Sequence, residues 1–126
     1  MATALDHLGG EEALKSLVNR FYDLVETDAQ GAQIMALHFK GHGLAHVREE
    51  QVNFLSGFLG GRRHYAEKHG HMDVRLLHDH VPIRAQDAED WLALMDRALA
   101  DCGHTGPETD RIRAALRRVA LMLVNR

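Results

Sequence analysis

Apolar residues recur every three to four positions along most of the chain, and no segment of useful length alternates with a period of two. That spacing marks helices with one buried face and points to an all-α fold. Four long segments carry it. In the first, Glu11 and Glu12 follow Gly9-Gly10 and suit a helix N-terminus. Leu14, Leu17, Val18, Phe21, Tyr22 and Val25 then share one face. The second starts near Leu44 and presents Leu44, Val47, Phe54, Leu55 and Phe58, with the polar Gln51 in the middle of the stripe. Gly60-Gly61 stops it. The third begins near Asp87, with Asp87 and Asp90 in its first turn, and carries Trp91, Leu94, Met95, Ala98 and Leu99. The fourth opens on Pro107, which fits a first helical position, and presents Ile112, Ala115, Leu116, Val119 and Leu123. Short helices are expected over 31–38 and 62–69, the second ending at Gly70, and the stretch from His71 to Pro82 has no regular pattern.

A chain of 126 residues suits one domain, spanning 1–126. A domain of that length buries roughly two thirds of its unfolded surface and can enclose a cofactor. A formal charge of −3 gives no reason to expect nucleic acid or an acidic membrane as a partner. Cys102 is the only cysteine, so no intrachain disulfide can form and a reducing compartment is expected. Met1 to Gly10 lacks the basic and apolar regions of a signal peptide, and no stretch approaches the roughly 18 apolar residues that span a bilayer. The expected location is cytoplasmic.

Ten histidines are several times ordinary usage, and for most of them a surface role is the plain reading. His78 differs. It lies between Leu77 and Asp79, close to Val81 and Ile83. Apolar surroundings disfavour the imidazolium, and a neutral ring can ligate a metal. The pairs His69/His71 and His78/His80 offer an alternative, a zinc site. Against it, no paired cysteines, HExxH helix or carboxylate set accompany them. Tyr22 and Trp91 each carry one hydrogen-bond donor on a largely apolar side chain. Gln51 would cost about 1–3 kcal/mol if buried without a partner. Each of the three reads either as a satisfied core residue or as a donor facing a pocket.

In this order and at these intervals, several segments resemble the group II truncated haemoglobins. They are Arg20-Phe21-Tyr22, Phe54-Leu55-Ser56-Gly57-Phe58-Leu59-Gly60-Gly61, Tyr65, Gly70-His71, His78 with Ile83, and Asp90-Trp91-Leu92 with Met95. The resemblance implies a two-on-two helical sandwich around haem b. By position, His78 matches the proximal iron ligand, and Tyr22 and Trp91 match the two distal donors. Val47 and Gln51 fall where the distal helix faces the bound gas, and His38 or Phe39 at the corner before it. Leu44, Phe54, His71, Leu77, Val81, Ile83 and Met95 complete the expected haem surroundings. The chain departs from the family at Leu77 and His80, where arginine and proline are common, at Val81, commonly phenylalanine, and at Glu50, where a basic residue often meets a propionate. Arg48, Tyr65 and Arg75 are the propionate candidates. His80 is a rival proximal ligand, and His46 would reach the iron only if its helix rotated.

Dioxygen, carbon monoxide, nitric oxide or peroxide are the ligands so implied. Bound dioxygen draws negative charge, and each hydrogen bond to a charged acceptor is worth about 1.5–3 kcal/mol. Two such bonds would slow release by roughly two to four powers of ten. That favours redox chemistry or detoxification, of the nitric oxide dioxygenase or peroxidase kind, over bulk oxygen storage or transport. An electron-donating reductase is the implied partner, and the chain is expected as monomer or homodimer. The alternatives are a haem-based sensing module without turnover, for which 126 residues hold no output domain, and a haem-free helical protein with a histidine metal site.

Overall fold

The computed structural model describes residues 3–38, 44–72 and 81–126, with side chains at all of these except 36–38 and 44. Among the described residues every regular element is helical: α1 (Ala4–Leu8), α2 (Gly10–Thr27), a 3-10 turn (Ala29–Gly31), α3 (Ala32–His38), α4 (Leu44–Phe58), α5 (His64–His69), α6 (Ala85–Asp101) and α7 (Pro107–Met122). None is long and apolar enough to cross a membrane.

The central element is α2. Leu14, Leu17, Val18, Phe21, Tyr22, Leu24 and Val25 are all buried along it, a face approaching half the helix circumference. It therefore needs cover on two sides, which α4 and α6 provide. Helix α7 packs on α6, and α5 on α4. The helix pairs α2/α4 and α6/α7 frame a core that includes Leu55, Leu59, Leu92, Leu94, Met95, Ala98, Leu99, Ile112 and Leu116. Each of the leucine, isoleucine and methionine side chains contributes about 1.5–3 kcal/mol by leaving water.

Local chemistry sets the helix ends. Asp28 caps the 3-10 turn by accepting from the Gln30 amide at 2.9 Å. The turn then passes so close to α2 that a Cβ at Gly31 would lie 2.2 Å from the Val25 carbonyl oxygen. Only glycine fits there. Gly60, at φ +92, ends α4 in the left-handed region, and the Gly61 amide donates to the Ser56 carbonyl at 2.8 Å.

Helix α6 starts at Ala85, two residues before the expected Asp87. Asp87 is the third helical residue of a capping box instead, its carboxylate accepting from the Arg84 amide at 2.9 Å. Asp87 thus lies in the first turn, as expected, whereas Asp90 falls beyond it. Its helix also buries Ala88 and Leu92, widening the apolar face read from the sequence, while Trp91 is half-buried. Leu123 falls just past the end of α7. Helix α1 was not anticipated. Thr3 and Asp6 form its capping box, Leu5 and Leu8 are buried, and the Leu5 amide donates to the Leu59 carbonyl at 3.0 Å.

Candidate functional site

Both α4 and α6 reach the Phe21-Tyr22 pair of α2. The Phe21 ring lies 4.9 Å from Tyr22, edge to face, and 5.1 Å from Trp91 of α6. From α4, the Arg48 guanidinium lies 5.8 Å from the Tyr22 ring centroid. Phe21 thus spaces the two aromatic donors, a role the sequence did not mark, although the residue itself stood out. Tyr22 is fully buried. Burial pushes its phenol well above the ordinary tyrosine range, and the nearby Arg48 charge opposes this only in part. The hydroxyl therefore stays protonated and able to donate.

Helix α4 lines up Val47, Arg48, Gln51 and Phe54, all half-buried. Val47 packs against the core, whereas its neighbour His46 is exposed. Phe54 continues into an aromatic row, 6.1 Å from Phe58 and 5.8 Å from the buried Tyr65. Tyr65 lies 4.3 Å from the His69 ring, and burial raises its phenol. Glu50 stands beside this row. Its carboxylate accepts from Lys68 at 2.8 Å and meets His69 at 2.5 Å. Burial works against the charged form of Glu50, yet Lys68 and His69 hold it below the usual carboxylate range. Lys68 and His69 of α5 therefore both engage this acid.

Arg48 is engaged on α2. It donates to the Asn19 carbonyl at 3.0 Å and side chain at 3.1 Å, and to Asp23 at 2.9 Å.

On the other side of the fold, Val81 is half-buried and Ile83 buried. The Asn125 side chain holds both, donating to the Val81 carbonyl at 2.9 Å and accepting from the Ile83 amide at 2.8 Å. Nothing in the sequence marked Asn125, since its partners are 44 and 42 positions away. Met95 is buried on α6, and His71 is half-buried after α5. His78, Leu77, Arg75, Phe39 and His80 lie outside the described residues, as do the side chains of His38 and Leu44. The four-histidine zinc alternative includes His78 and His80 and so also falls outside them; no cluster of three or more metal-ligating side chains occurs among the described residues.

The arrangement suits a flat apolar cofactor with a small polar ligand. Among the described residues, Met35, Val47, Phe54, Phe58 and Trp91 rest on the core and stay partly uncovered, an apolar rim that a flat cofactor could cover. Tyr22, Trp91 and Gln51 bring a phenol, an indole and an amide on α2, α6 and α4, and none is an anion that would repel an electron-rich ligand.

A short helical domain with an apolar cradle and neutral donors defines the class, and comparison with known proteins gives the family. The bacterial-like globin family model matches residues 3–125. The group 2 truncated hemoglobin YjbI of Bacillus subtilis is 32% identical over 92% of this chain and 84% of its own. The group II 2-on-2 hemoglobin of Agrobacterium tumefaciens superposes with a TM-score of 0.91 at 30% identity, covering 99% of this chain and 95% of that one. The truncated oxygen-avid haemoglobin of Bacillus subtilis superposes at 0.89 with 29% identity, over 98% of this chain and 100% of that one. The chain belongs to the bacterial-like globin family and is a group II truncated haemoglobin with the two-on-two fold. Its cofactor is haem b, and it binds small diatomic ligands such as dioxygen.

Proposed function

We propose that this globin, as a single domain over 1–126, holds dioxygen tightly for redox detoxification, turning over nitric oxide or peroxide rather than storing or delivering oxygen. The observation that carries this reading is the buried, protonated Tyr22 set beside Trp91 through Phe21. Haem supplies reversible ligand binding and one-electron chemistry at iron.

The chain's own residues do the rest. His78 is the proximal ligand, and the Asn125 hydrogen bonds to Val81 and Ile83 fix the segment that follows it. Tyr22, Trp91 and Gln51 donate toward the ligand and resist its departure. Leu44, Val47, Phe54, His71, Leu77, Val81, Ile83 and Met95, with His38 or Phe39, line the apolar cradle and exclude water. Tyr65 and Arg75 are the propionate partners in this reading, since the Arg48 guanidinium is already engaged on α2.

With nitric oxide the overall change is NO + O2 + one electron to nitrate. With peroxide it is H2O2 + two electrons + two protons to two waters. Either needs an electron donor, so a cytoplasmic reductase is the partner, serving a monomer or homodimer. The relative described as oxygen-avid supports tight binding. Rapid mixing of the oxygen-loaded ferrous protein with nitric oxide tests the reading. Stoichiometric nitrate, formed far faster than dioxygen dissociates, is the expected result. Release of dioxygen without nitrate, together with no peroxide turnover under a reductant, would contradict it.

A further inference from the structure

We propose that Arg48 is a positioning residue for the ligand site, acting through Tyr22; this rests on the reading of Tyr22 as a donor. Asn19, Tyr22, Asp23 and Glu26 follow one another along one side of α2 at helical spacing. The Arg48 guanidinium lies against that side. One of its nitrogens donates to both oxygens of Asn19, at 3.0 Å to the carbonyl and 3.1 Å to the side chain. The other donates to Asp23 at 2.9 Å and to Glu26 at 3.5 Å. The planar fork is thus tied to the backbone and side chains of α2 at once, which a lysine ammonium would not reproduce.

Two consequences reach the site. Val47 precedes Arg48 and Gln51 follows it within one turn of α4, so the fork fixes how that turn sits over α2. The cation also lies within cation–π range of the Tyr22 ring, with the Arg48 side chain only 19% exposed. A positive charge there favours electron withdrawal from the hydroxyl and makes it the stronger donor. Pairs this close to the surface add little stability as such, so the geometry makes more sense as orientation.

The test is a double-mutant cycle on the haem-loaded ferrous protein with Arg48→Met and Tyr22→Phe, read as dioxygen release rate and as the C–O stretching frequency of the carbon monoxide form. Haem transfer to an acceptor apoglobin is measured on the same proteins. Arg48→Met should speed release and shift the stretch, and the effect should shrink by about 2-fold or more when the Tyr22 hydroxyl is absent. Asp23→Asn breaks one arm of the fork without touching α4, should act in the same direction, and serves if Arg48→Met does not fold. Equal effects with and without the hydroxyl would overturn the inference while leaving Tyr22 a donor. So would faster haem loss with unchanged release, the result expected if Arg48 held a propionate. No effect of Tyr22→Phe alone would remove both this inference and the reading beneath it.

Discussion

Tyr22 and Trp91 differ in how much water reaches them, and their variants should differ accordingly. Tyr22 is fully enclosed, so Tyr22→Phe keeps the packing and removes one hydroxyl. Trp91 is half-buried against Phe21, so Trp91→Phe also thins the apolar rim. Each should raise the dioxygen dissociation rate about 10-fold or more, the loss of one charge-assisted hydrogen bond. Stopped-flow displacement by carbon monoxide measures it, and unchanged rates in both would mean the donors point elsewhere. Gln51→Leu should leave haem bound while speeding dioxygen loss and autoxidation. Combined with Tyr22→Phe it should give less than the sum of the separate effects if the donors share a network.

At the scale of elements, two junctions are under tight steric or electrostatic demand. Gly31→Ala should cost about 1–3 kcal/mol or more in unfolding free energy, because a methyl group would meet the Val25 backbone. Asp87→Ala removes the acceptor that starts α6 and should cost about 1–2 kcal/mol at neutral pH in urea unfolding. Its sign with pH follows from the Arg84 hydrogen bonds, which hold the carboxyl below the usual range. The stabilisation is complete above the unfolded value of about 3.9 and is lost as pH falls through the lower folded value. The gap between the two proteins should close in acid, and a gap that widened there would contradict the assignment.

These elements also show what was legible beforehand. The α2 and α6 faces were readable because helical spacing records burial directly, and Gly60, Gly70 and Pro107 punctuate the chain by backbone geometry. Helix α1 was not, since five residues are too short for a period. Nor were the Arg48 fork, the Asn125 clasp or the Glu50 cluster, because each joins polar residues far apart in the chain and only folding brings them together.

For the whole molecule, α2 is the shared wall. It meets α4 through Arg48 and α6 through Phe21 and through the Arg20–Asp101 pair at 2.8 Å, so disturbance on either side reaches Tyr22. On the proposed reading the rim of half-covered apolar side chains meets the haem, so cofactor and chain stabilise each other. Removing haem should lower the thermal midpoint measured by circular dichroism while the helical signal largely survives; an unchanged midpoint would mean that the rim is not the haem surface. The account depends most on one proposed bond, from His78 to the iron. The direct measurement is the visible spectrum of ferrous protein, with and without carbon monoxide, for the parent chain, His78→Ala and His80→Ala. The parent and His80→Ala should show the same histidine-ligated haem, while His78→Ala should lose most haem or regain the parent spectrum with added imidazole. A normal spectrum in His78→Ala, with haem lost from His80→Ala, would contradict it.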